Sequence, residues 1–192
     1  MKLDKSILIS FLLLVAICSI YRIMPGRPWG FAPQIAMALF SGSVVSNRRF
    51  AFVLPLLSML LSDLLYEFLF MNGLTPIRGF YSGQWLNYLL FASITCIGFA
   101  VNSRKPLHWL AGSVASVLFY FFASNFAVWF SGGLALNNLP YERSLAGLTQ
   151  CYIAGLPFLQ VSFYATVFFG AIFFGTYHLL GSGKRVSTRV AA

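Results

Sequence analysis

A chain of 192 residues that is 59% hydrophobic and only 9% charged, with a mean hydropathy of +0.80, lacks the polar surface that keeps a globular domain dissolved, since such domains are about a quarter charged. Its length holds several membrane spans of about 20 apolar residues joined by short loops, and leaves no room for a separate soluble domain. The net charge of +9, from 13 Lys+Arg against 4 Asp+Glu, is dispersed in ones, twos and threes between apolar segments, which argues against a nucleic-acid-binding stripe and for orientation in a bilayer.

The first apolar run, Ile7 to Tyr21, follows Lys2 and Lys5. It has the length of a signal-peptide core, but Arg22-Ile23-Met24-Pro25 supplies no small-residue cleavage site, so it is expected to stay as span one. Pro25-Gly26-Arg27-Pro28-Trp29-Gly30 breaks the helix. Span two is expected over 31–45, with Pro33 near its start, where proline is tolerated. Asn47-Arg48-Arg49 closes it. Span three covers 50–70 and is interrupted by Asp63 and Glu67.

Residues 72–84 contain three glycines and Pro76 and read as a loop. Span four is expected over 85–101 and ends at Asn102-Ser103-Arg104-Lys105-Pro106. Span five covers 107–130, where Ala111/Ala115 and Gly112/Ser116 at four-residue spacing permit close helix contact. Residues 131–144 form the longest loop. Leu145 to Phe158 is either an interfacial helix or the start of span six, which is expected over 161–180 before Gly181-Ser182-Gly183-Lys184-Arg185.

Six spans place Lys2, Lys5, Arg48, Arg49, Arg104, Lys105, Lys184, Arg185 and Arg189 on one side, and only Arg22, Arg27, Arg78 and Arg143 on the other. The positive-inside rule assigns the richer side to the cytoplasm. The expected fold class is therefore an all-α integral membrane bundle of six transmembrane helices, one domain over 1–192, with both termini cytoplasmic and the inner membrane as its location.

Asp63 and Glu67 carry the functional signal, because an acid inside a span costs at least about 2.5 kcal/mol and four-residue spacing puts both on one helix face. The expected topology sets Trp85, Asn87, Tyr88, Asn125, Trp129, Arg78 and Trp29 at the same outer level. Aromatic walls with a few polar groups suit a small-molecule site, although Trp and Tyr collect at membrane interfaces without any ligand. Asp63 could equally pair with an outer-loop arginine such as Arg78 to hold helices together. Cys18, Cys96 and Cys151 are isolated, and His108 and His178 have no second ligand at helical spacing. No metal or cofactor is expected.

No catalytic motif is present, so an enzyme is not expected, and no phosphate-cradling Gly-Lys motif would allow the chain to hydrolyse ATP. The segments 31–40, Leu54-Pro55-Leu56, Leu61-Ser62-Asp63-Leu64, 124–129 and 145–152 resemble an uncharacterised bacterial family linked with transport. That family in turn looks like the substrate-binding S components of energy-coupling factor (ECF) transporters. The resemblance implies a six-helix bundle that binds a vitamin- or cofactor-like solute near the outer face, partnered by a transmembrane coupling subunit and ATPases. S components dock through an Ala-x-x-x-Ala pattern on their first helix; here span one offers only Ser6/Ser10, and Ala32/Ala36 lies in span two. A structural subunit of a membrane complex is the alternative, and an intramembrane enzyme the weaker one.

Overall fold

The computed structural model describes residues 5–135 and 137–181, with side chains over 9–135 and 137–179. The regular elements among the described residues are all helices, in the order α1 (Lys5–Ile23), α2 (Gln34–Val44), α3 (Arg48–Ala51), α4 (Val53–Met71), α5 (Gln84–Gly98), α6 (Pro106–Phe130) and α7 (Leu145–Gly181). Among them there is no strand, only an isolated bridge between Leu134 and Pro140.

The helix ends follow local chemistry. Asn47 caps α3 by accepting from the Arg49 and Phe50 amides, satisfying two donors that a helix start leaves open. Pro106 occupies the first turn of α6, where its missing N–H costs nothing. Gly30 turns the chain into α2 with φ of +83°, a conformation natural to glycine.

Contacts fix an up-and-down arrangement. Ser19 meets Ser58 and Arg22 meets Asp63, so α1 and α4 run parallel. Gly42 of α2 lies against Gly98 of α5, and Gly170 of α7 faces Trp109 of α6. One end of the bundle carries the loops around 24–33, 72–83 and 131–144; the other carries 45–52 and 99–105.

Three helices are long and apolar enough to cross a membrane: Arg48–Met71, Pro106–Phe130 and Leu145–Leu179. They fit a membrane protein. The expectation of six such spans is corrected, because Ile9–Ile23 and Gln34–Val44 are shorter apolar helices and α5 has 15 residues. At 1.5 Å per residue α2 is only about 16 Å long. It forms the centre of the molecule, packed by α4, α5, α6 and α7, and nine of its eleven residues, Gln34 to Gly42, are buried. An apolar run in sequence has the same hydropathy whether its neighbour is lipid or protein, and here the neighbour is protein.

The Leu145–Phe158 segment is the first part of α7, which runs for 37 residues through Pro157. Of the two readings of this segment, the start of the last span describes it and a separate interfacial helix does not; the helix begins at Leu145 rather than near 161. The expected positions of Lys2, Ser6, Lys184, Arg185 and Arg189 lie outside the residues whose side chains are described, as does the placement of both termini.

Candidate functional site

The site is built where α1, α4 and α5 converge at the end bearing loops 24–33 and 72–83. Small side chains bring α1 and α4 together: the Ser19 hydroxyl reaches the carbonyls of Val15 at 2.7 Å and Ser58 at 3.0 Å. One turn further, the Arg22 guanidinium donates to Ser62 Oγ at 2.6 Å and to Asp63 Oδ1. Asp63 is fully buried. Its Oδ2 accepts from the Gln84 amide and from the Tyr88 hydroxyl, the latter at 2.7 Å. A buried carboxylate is tolerated only when its charge is paired and its lone pairs are occupied, and Asp63 meets both conditions. Arg22–Asp63 is the one ion pair among the described residues.

Glu67, one turn beyond Asp63, accepts from the amides of Gly79 at 3.0 Å and Phe80 at 3.2 Å, tying the 72–83 loop to α4. Gly79 sits so close that a Cβ would overlap the Asp63 carbonyl and the Glu67 amide. The network continues through Asn87, which donates to Gln84 Oε1 at 2.9 Å and Tyr81 Oη at 2.7 Å and accepts from Tyr120 Oη at 3.0 Å. Half of the Tyr81 side chain faces outward, yet desolvation raises its hydroxyl pKa above the ordinary tyrosine value, opposed by the Asn87 amide. The phenol therefore stays protonated at neutral pH.

The structure thus brings together Asp63, Glu67, Asn87 and Tyr88, four of the residues singled out in sequence. Two others are elsewhere. Asn125 lies between α6 and α7, donating to the Phe121 carbonyl at 2.8 Å and filling the space above Gly155. Trp129 Nε1 donates to the Glu142 carbonyl at 2.8 Å, anchoring the 131–144 loop. Of the nine expected site residues, Asp63, Glu67, Asn87 and Tyr88 thus lie around one network, while Asn125 and Trp129 lie toward α7 and the 131–144 loop. Arg78 stacks on the Phe70 ring at 4.9 Å and is not the partner of Asp63. That partner is Arg22, another of the arginines expected at this end. Its signal was Ser19 and Arg22, three apart on one helix face, opposite Ser58 and Ser62, four apart on another.

Beside this network a cleft of about 300 Å³ opens between the loop after α1, the C-terminal part of α4 and the 72–77 segment, with Arg27, Trp29, Tyr66, Leu69 and Leu74 among its walls. Arg27 is held by its bond to the Arg22 carbonyl at 2.7 Å and by longer contacts to the Phe31 carbonyl and Tyr66 Oη. Tyr66 Oη in turn donates to the Arg22 carbonyl at 2.7 Å. Arg27 has no carboxylate partner among the described residues. Trp29 is 67% exposed and supplies an indole wall, whereas Trp85, equally exposed, lies outside this lining. The cleft combines aromatic and aliphatic surface with one fixed, unneutralised cation.

The family described as "Family of unknown function (DUF6580)" matches residues 2–189, and the chain belongs to that family. No curated protein and no solved structure matches it.

Proposed function

We propose that this member of the family is a membrane substrate-binding protein, which takes a small anionic, vitamin- or cofactor-like solute at the outer face of a bacterial inner membrane and serves its transport. The observation that carries the reading is the cleft beside Arg27, Trp29 and Tyr66, whose volume of about 300 Å³ falls at the lower end of the range of small-molecule pockets. In this reading Arg27 faces the solute's carboxylate or phosphate and Trp29 its ring. The Arg22–Asp63–Gln84–Tyr88 network is the rigid floor that positions Arg27, and Glu67 and Asn87 brace the loop and helix around it.

The same reading treats α1, α2, α4, α5, α6 and α7 as six crossings with cytoplasmic termini. The short α2 is accommodated because its backbone is surrounded by protein rather than lipid. An S-component-like arrangement would need a coupling subunit and ATPases. Ala36 is fully buried, so Ala32/Ala36 offers no docking pair, and the exposed Ile9, Leu13 and Ile17 stripe of α1 is the face left for such a partner.

A second reading, a structural subunit of a membrane complex, is favoured by the complete internal pairing of Asp63. Native mass spectrometry of the protein purified from its host in gentle detergent separates the two. The transport reading expects a retained small molecule that is lost in Arg27→Gln and Trp29→Ala while both variants melt as the wild type does. Unrelated membrane subunits recovered in place of any solute would reject it.

A further inference from the structure

The opposite end of the bundle holds a second cleft, of about 490 Å³, between the α2–α3 connection and the α5–α6 connection, with Ser43, Ser46, Asn102, Ser103, Arg104 and Tyr177 among its lining residues. Its surroundings are one-signed. Arg104 forms part of the wall, Lys105 follows it, and Arg48 and Arg49 begin the neighbouring α3. Arg48 lies over the Phe99 ring at 5.1 Å, and Phe99 is itself a lining residue. The three described acidic residues, Asp63, Glu67 and Glu142, belong to the other end: the Asp63 carboxylate accepts from Arg22, the Glu67 carboxylate accepts from the Gly79 and Phe80 amides, and the Glu142 backbone carbonyl accepts from Trp129. No acid pairs with Arg48, Arg49, Arg104 or Lys105 among the described residues.

Like charges gathered at one end of the bundle repel one another unless an anion or solvent screens them. Two features mark this place as more than a charged rim. It is concave, and its lining is mainly polar, with the Ser46 hydroxyl and the Arg104 guanidinium making no hydrogen bond to other described residues. Arginine forks complement phosphate oxygens in charge and geometry, and basic pockets between helices near a membrane surface are suited to lipid head groups.

We infer that this cleft binds a phosphate group carrying net negative charge, held by Arg104 and Arg48 with Ser46 as a neutral donor. The phosphate comes either from an anionic phospholipid head group or from a soluble phosphate compound. The inference stands independently of the outer cleft, which lies at the other end of the bundle.

The test uses the full chain in micelles containing equal amounts of phosphatidylglycerol and phosphatidylcholine, with native mass spectrometry reading the retained lipid. A parallel melting series compares inorganic phosphate with chloride at equal ionic strength. Preferential retention of phosphatidylglycerol assigns the lipid source, and stabilisation by inorganic phosphate without lipid preference assigns the soluble one. At about fivefold per arginine near a surface, Arg48→Gln combined with Arg104→Gln should weaken either signal by roughly thirtyfold, whereas Arg143→Gln at the far end should leave it unchanged. If the double variant does not fold, Ser46→Trp, which plugs the cleft and keeps all four cations, should abolish the signal. Neither signal in the wild type, or a signal that survives the double variant or the plug, overturns the inference.

Discussion

At the scale of single residues, Asp63 shows why a buried charge is read differently in one dimension and in three. Its position inside an apolar run announces a cost, and a function was one way to repay it. The structure repays it with Arg22, Ser62 alongside, Gln84 and Tyr88. Removing one member of a buried pair leaves the other uncompensated, at a cost of about 3–5 kcal/mol. Asp63→Asn is therefore expected to lower the melting temperature of the detergent-solubilised protein markedly. Replacing both partners with apolar residues, Arg22→Met with Asp63→Leu, should recover much of that loss, because the desolvation cost vanishes with the charges. A double-mutant cycle by thermal melting checks this; a double variant no better than the single one would show that the network matters beyond the pair.

At the scale of elements, two contacts set how the helices and loops sit. Gly42 of α2 and Gly98 of α5 let the two backbones touch: a Cβ at Gly42 would overlap the Thr95 carbonyl and approach Gly98 Cα to 2.9 Å. Gly42→Ala should destabilise the fold by about 1–3 kcal/mol through overpacking, seen as a lower melting temperature without loss of helical circular dichroism at low temperature. Neither glycine stood out in the sequence, because close approach depends on which helices meet. Glu67 acts on a loop instead. Glu67→Ala removes charge-assisted acceptance from two amides, and such bonds are each worth about 1.5–3 kcal/mol. Exchange of the Gly79 and Phe80 amides should quicken by about tenfold or more, with α4 unaffected; unchanged exchange would mean that Gly79 packing alone fixes the loop.

At the scale of the whole molecule, the two ends differ electrically. One carries Arg48, Arg49, Arg104 and Lys105 without a described acid, and the other sets Arg22, Arg27, Arg78 and Arg143 beside Asp63, Glu67 and Glu142. If the proposed membrane topology holds, Ser46→Cys and Ser82→Cys, both at exposed positions, should react with an impermeant thiol reagent from opposite sides of the membrane. Cys96 is also exposed on the molecular surface and must be replaced first. Labelling of both positions from the same side would exclude six crossings.

Composition, apolar runs and the spacing of Pro, Gly and Arg by themselves determined the all-helical class, the fit to a membrane, the loops near 24–33, 72–83 and 131–144, and Asp63 as the costly residue, because each follows from the solvation of a local stretch. Only the tertiary structure decided that α2 is wrapped by other helices, that α7 is continuous through Pro157, that Arg22 rather than Arg78 neutralises Asp63, and that Asn125 and Trp129 belong to a different cluster. The physical reason is that hydropathy adds along the chain and is indifferent to what the apolar surface meets. An ion pair between residues 41 positions apart, or two glycines in backbone contact, exists only once the helices have chosen their neighbours.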